Sequence, residues 1–123
     1  MKLLLADDDV FLLDMYTVKF MEAGHEVVAV KDGDHTLATL RQGDAFDGVL
    51  LDMVMPGLSG LEVLRTIKKE NLGGPKCKCI MLSNQGDPSG IAAATQAGAL
   101  GYIIKAESMP SEVVEKVTSL LAA

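Results

Sequence analysis

Five short apolar runs, at residues 3–6, 26–30, 48–51, 79–82 and 101–104, alternate along the chain with longer stretches of helical period. Several are apolar almost throughout, as strands buried on both faces of a parallel sheet are. Between them, Leu12, Met15, Tyr16, Phe20 and Ala23 predict a first helix that Gly24 ends. Leu37 and Leu40 anchor a short second helix ending near Gly43. Leu61, Leu64 and Ile67 anchor a third, closed by Asn71 and by Gly73, Gly74 and Pro75. An alanine-rich fourth helix around residues 91–96 ends at Gly98. The fifth starts near Pro110, carries Glu112 in its first turn, and shows an apolar face of Val113, Val114, Val117, Leu120 and Leu121. Strand followed by helix, five times over, predicts an α/β fold: a doubly wound parallel sheet, helices on both faces, right-handed crossovers.

Composition narrows the class. The 123 residues are 49% hydrophobic and 23% charged, which suits one domain with a real core and excludes a disordered chain or a multidomain enzyme. No apolar run approaches the ~20 residues of a membrane span. The first run stops at three aspartates rather than continuing as a signal peptide. Two cysteines are too few for a disulfide scaffold or a four-thiolate zinc site, so the expected setting is reducing and cytoplasmic. Seventeen acidic against eleven basic residues argue against a broad basic face for nucleic acid.

Ligands of such sheets bind outside the carboxyl ends of the strands, where strand order reverses. Asp7, Asp8 and Asp9 follow the first run, Asp52 the third, Ser83 the fourth and Lys105 the fifth. Lys31 and Asp32, after the second, read as an ordinary turn. With strand order 2-1-3-4-5, strands one and three are neighbours at the switch point. Asp7 and Asp8 then face Asp52, and Ser83 and Lys105 approach from one side. Carboxylates ~5 Å apart repel by about 3 kcal/mol per pair at an effective dielectric of about 20, so the cluster demands a cation. All-oxygen ligands with room for water favour Mg2+. Metal and ammonium would neutralise an incoming phosphoryl group, Ser83 would donate a hydrogen bond to it, and Asp52 would attack phosphorus to form an acyl phosphate.

These residues stand in longer motifs: Leu4–Leu5–Ala6–Asp7–Asp8, then Phe46–Asp47–Gly48–Val49–Leu50–Leu51–Asp52–Met53–Val54–Met55–Pro56–Gly57–Leu58–Ser59–Gly60. Ile80–Met81–Leu82–Ser83 and Ala97–Gly98–Ala99–Leu100–Gly101–Tyr102–Ile103–Ile104–Lys105 follow. In that order and spacing, from Lys2 to about Leu121, the chain resembles the receiver domain of two-component response regulators, of the stand-alone, chemotaxis-regulator kind. The resemblance implies a flavodoxin-like (βα)5 sandwich of strand order 2-1-3-4-5. It implies that Asp52 is the phosphoacceptor, that Asp8 and Asp52 ligate Mg2+ directly and Asp7 mainly through water, and that the backbone carbonyl of Val54 adds a ligand. Lys105 would pair with the phosphoryl oxygens, Ser83 would shift to hydrogen-bond them, and Tyr102 would move inward behind it as the switch. The implied donor is a phosphohistidine on a sensor histidine kinase or phosphotransfer protein. The implied output is a protein partner on the face of helix four, strand five and helix five, with a monomer or weak dimer as the assembly. Only two alanines follow residue 121, so the expectation is one receiver domain over residues 1–123 without an output domain, catalysing nothing beyond its own phosphorylation and dephosphorylation.

Some positions depart from the family pattern. Ala106 stands where proline usually follows the lysine, the loop from residue 105 to residue 110 is one residue longer than usual, and Asn84 replaces a small residue. Val54 and Gln85 occupy the variable positions that tune phosphoryl lifetime; with no polar side chain at Val54 to orient water, self-dephosphorylation is expected to be slow. Other residues read as ordinary structure: Asp9 as a helix cap, Tyr16 as core with its hydroxyl outward, His25 and His35 as solvated. Cys77 and Cys79 share one face of strand four, with Cys79 in the core. Asp32, Gly33 and Asp34 form a turn rather than a calcium loop, Gly60 lets the third helix start tightly, and Gly98 takes positive φ. Three competing functions remain: a pseudo-receiver with a vestigial site; a phosphatase of the haloacid-dehalogenase type, which wants an aspartate where Val54 stands; and a flavodoxin, whose FMN phosphate three aspartates would repel.

Overall fold

The computed structural model describes residues 1–84 and 86–123. Its strands are β1 (Lys2–Ala6), β2 (Glu26–Val30), β3 (Gly48–Leu51), β4 (Lys78–Ser83) and β5 (Gly101–Ile104). Its α-helices are α1 (Val10–Glu22), α2 (Gly33–Arg41), α3 (Gly60–Glu70), α4 (Pro88–Gln96) and α5 (Pro110–Ala122). Among the described residues the five strands pair in parallel in the order β2-β1-β3-β4-β5. Every carboxyl end therefore opens on the same edge, as the alternation of runs predicts.

The strands bury both faces because their side chains alternate between two cores. Leu3, Leu5, Leu50, Ile80, Leu82 and Ile103 point toward α1 and α5, where they meet Leu13, Tyr16, Phe20, Val113 and Val117. Leu4, Ala6, Val49, Leu51, Cys79 and Met81 point the other way, onto Leu37 and Leu40 of α2, Val63, Leu64 and Ile67 of α3, and Ala94 of α4. One expected face is corrected: α1 buries Leu13, Tyr16 and Phe20, while Leu12 and Met15 are only partly covered. Positions 13, 16 and 20 share one stripe of a 3.6-residue helix, and 12 and 15 flank it.

Helix ends follow local chemistry. Asp9, Asp32, Ser59 and Asp87 cap α1 to α4, each side chain accepting the backbone N–H of the residue three positions on. Asp32, Gly33 and Asp34, expected as a turn, instead cap and open α2, because the Asp32 side chain accepts the His35 N–H. Ser59 and Glu62 close a reciprocal capping box. Asn71 ends α3 in the left-handed region at φ 53°, and Gly98 follows α4 at φ +101°. Helix α4 begins earlier than its apolar pattern indicates, because Asp87 supplies the cap and Pro88 the first turn.

Candidate functional site

Strand register builds the site. Ala6 pairs with Leu51, so the next residues, Asp7 and Asp52, leave the sheet side by side, and the Asp52 N–H donates to the Ala6 carbonyl at 3.1 Å. Asp8 brings a third carboxyl group: one oxygen from each of Asp7, Asp8 and Asp52 lies within 4.8 Å of the others. Ser83 ends β4 opposite Ile104, and Lys105 is the next residue along β5. Its long stem reaches back past β4 to the inner strands. There Nζ donates to Asp7 Oδ2 and, at 3.0 Å, to Asp52 Oδ2. The remaining oxygens are also held: Asp7 Oδ1 accepts the Asp9 N–H at 3.0 Å, and Asp52 Oδ1 accepts the Val54 N–H at 3.2 Å. Asp7, Asp52, Ser83 and Lys105 are buried, whereas Asp8 is exposed.

Burial is the largest influence on Asp52 and pushes its carboxyl above the ordinary carboxylate range; Lys105 and the Val54 N–H pull it back, and Asp7 adds to the rise. Burial also pushes the Lys105 ammonium down, but Asp7 and Asp52 outweigh it and hold lysine above its usual value. One buried ammonium thus serves two carboxyl groups, with a third beside them. Three hard oxygen donors at this spacing, open to solvent through Asp8, fit a small divalent cation such as Mg2+. Asp8, Asp9, Asp52, Val54, Ser83, Asn84 and Lys105 line a cleft of about 330 Å3 over them, roomy enough for a phosphoryl group. Of the residues expected to tune it, Val54 is exposed at the rim; Gln85 lies outside the described residues.

The structure also places residues whose roles the sequence left open. No cis peptide occurs among the described residues, so the bond from Lys105 to Ala106 is trans, and the longer loop folds as a 3-10 turn over Lys105–Glu107. Asp9 caps α1 and, through its N–H, orients Asp7. Tyr102 is half-buried on β5 opposite Met81 and packs against the core of α2, α3 and α4. Tyr16 is a correction: its hydroxyl is not directed outward. The residue is 2% exposed, shares a small internal cavity with Asp7 and Leu82, and feels the charges of Lys105 and Asp7. Burial raises its phenol pKa. His35 is exposed but bonded to Asp32, and His25 is half-buried, with its ring near the amino terminus and Thr118.

Gly60 ties the fold to the site. A Cβ there would overlap the Asp52 carbonyl and crowd the Met53 backbone, so α3 starts tight against the acceptor loop only because this position lacks a side chain. Gly60→Ala is expected to cost about 1–3 kcal/mol in urea unfolding and to slow phosphoryl uptake, since the loop must yield. An unchanged midpoint would show that the approach is not binding on the fold.

Comparison with known sequences decides the family. The model of the response regulator receiver domain matches residues 3–118. The chain belongs to this family. As a receiver, it is 31% identical over 120 residues to the DNA-binding response regulator MtrA of Mycobacterium tuberculosis (strain ATCC 25618 / H37Rv), a match covering 98% of this chain and 50% of MtrA. The chain spans about half the length of the curated relatives it matches. Among solved structures, the BeF3-activated receiver domain of DrrB from Thermotoga maritima matches at 28% identity and a TM-score of 0.83, over 99% of this chain and 97% of that one. A CheY-like receiver domain protein from Methanospirillum hungatei JF-1 matches at 27% identity and a TM-score of 0.88, over 98% and 93%. Receivers are signalling switches, and no helix among the described residues is long and apolar enough to cross a membrane.

Proposed function

We propose that this receiver is a phosphorylatable switch in which Asp52 takes a phosphoryl group from a phosphohistidine on a sensor histidine kinase or phosphotransfer protein. The observation that supports it most is the convergence of Asp7, Asp8, Asp52 and Lys105, from three separate strand ends, around one open cleft. An Asp52 oxygen attacks phosphorus, the P–N bond to the donor imidazole breaks, and an acyl phosphate remains. Asp7, Asp8, Asp52 and the Val54 carbonyl would hold Mg2+, which supplies charge neutralisation to the phosphoryl oxygens. Lys105 already binds the acceptor and turns its ammonium to the new charge, while the Val54 N–H keeps the carboxylate oriented. Ser83, at the end of β4, donates to the phosphoryl group, and Tyr102 on the neighbouring strand follows. Phosphorylation thereby shifts the population toward a conformation that binds a protein partner on the face of α4, β5 and α5.

Incubation with acetyl phosphate, with Mg2+ or with EDTA, followed by intact-mass measurement tests this directly. One phosphate added in Mg2+ and none in EDTA is expected; no addition in either would make the chain a binding module with a vestigial site. The lifetime of the adduct carries a second expectation. The side chain of Val54, at the cleft, carries only methyl groups, so Val54→Asn, whose amide can orient water, should shorten the phosphoryl half-life by about three- to tenfold. An equal or longer half-life in the variant would contradict the role given to this position.

A further inference from the structure

Helix α1 is apolar on two sides. Leu13, Tyr16 and Phe20 meet the core, yet on the other side Phe11 is 77%, Val18 54% and Met21 58% exposed. Among the described residues eight large hydrophobic side chains are exposed, and four of them, these three and Val10, stand on this one helix. The outer faces of α3 and α5 are charged instead, with Glu62, Arg65 and Lys69 on the first and Glu112, Glu115 and Lys116 on the second. A helix apolar all round is normally covered all round, and an exposed apolar patch marks a contact surface.

The outer face of α1 has a heptad spacing. Phe11, Met15, Val18 and Glu22 fall at i, i+4, i+7 and i+11, the d, a, d and a positions of one ridge. Asp14 then takes the g position and Lys19 the e position that follows. When two such helices lie parallel about a two-fold axis, each g position meets the e position five residues on in the other helix. Asp14 of each copy thereby faces the partner's Lys19, and the symmetry makes two bridges of opposite charge. Antiparallel packing would set like flanks together, acid beside acid and base beside base. Lys19 also meets its own Glu22, at 3.9 Å with both side chains exposed, a weak pair that the ammonium can keep while it reaches across.

We propose that this chain self-associates through α1, as a parallel two-fold pair of helices with Phe11, Met15 and Val18 in the seam. A second copy is the occupant because the helix completes its own pairing: what its acidic flank needs, the basic flank of an identical chain supplies. Helix α1 begins directly after Asp9, which lines the cleft over Asp52, so the two clefts open at the same end of the dimer. The pairing does not depend on the function proposed for Asp52.

Sedimentation velocity on the folded chain, from about 10 μM to about 1 mM, tests this. The native chain should shift from monomer toward dimer as its concentration rises. Val18→Glu, which sets two carboxylates face to face in the seam, should raise the dissociation constant at least about tenfold. Asp14→Lys alone and Lys19→Asp alone should each weaken the dimer by about tenfold, since like charges then meet on both flanks. Mixed in equal amounts, those two variants should pair at near-native strength, because each supplies the charge that the other lacks. All three positions are exposed, so the variants should keep the native fold. A native chain that stays monomeric throughout would give the stripe to a different protein and overturn the proposal. So would a dimer that Val18→Glu leaves intact, or a mixture no heavier than its two components.

Discussion

Asp52→Asn should take up no phosphoryl group from acetyl phosphate and Mg2+, and in metal-free buffer at neutral pH it should be more stable than the native chain. The first effect follows from the loss of the attacking oxyanion: an amide oxygen is a poor nucleophile. The second follows from the price of holding a carboxylate in this site. Burial, with Asp7 beside it, lifts the folded-state pKa of Asp52 above its unfolded value despite Lys105. A group raised in this way contributes stability below its unfolded pKa and loses it as pH rises through the folded one. The native chain should therefore fall behind the variant as pH climbs from about 4 toward neutrality, and the two should converge in acid, where residue 52 is uncharged in both. Thermal unfolding across pH, with EDTA present, checks this. A variant less stable than the native chain at neutral pH would mean that the bond to Lys105 outweighs burial.

Lys105→Met carries the opposite sign for stability and the same sign for chemistry. The Lys105 side chain is 4% exposed and its partners on Asp7 and Asp52 are 7% and 11% exposed. Removing the ammonium leaves buried carboxylates unpaired, a change that typically costs about 3–5 kcal/mol and should lower Tm by roughly 12–19 °C in a domain of this size. Mg2+ should restore part of the loss, because a cation again faces the cluster. Phosphoryl uptake should slow by about 10²–10³-fold, the usual effect of deleting one preorganised donor to developing charge. Uptake at the native rate would remove Lys105 from the mechanism, and an unchanged Tm would remove it from the electrostatic balance of the site.

Much of this is legible in the sequence, for identifiable reasons. A parallel sheet buries both faces, so its strands are written as unbroken apolar runs, and whatever follows each run must lie on one edge. That places Asp7, Asp52, Ser83 and Lys105 together by topology, without any knowledge of distance. Caps are equally local: Asp9 and Asn71, both read from the sequence, act within one turn of themselves. What sequence hid was tertiary. The stripe of α1 turns on Leu13 rather than Leu12, a rotation that periodicity alone leaves loose. The Tyr16 hydroxyl is buried near Asp7 and Lys105 because α1 lies directly over the end of β1, which no spacing states. Gly60 is needed because the Asp52 carbonyl occupies the space of its missing side chain.

Reduction of the acetyl-phosphate-treated protein with borohydride, followed by peptide sequencing by mass, locates an acyl phosphate chemically, since only a phosphorylated aspartate is converted to homoserine. Conversion at residue 52, and at no other carboxylate, is the result expected. Homoserine at position 7 or 8, or none anywhere in a chain that has gained phosphate, would contradict it.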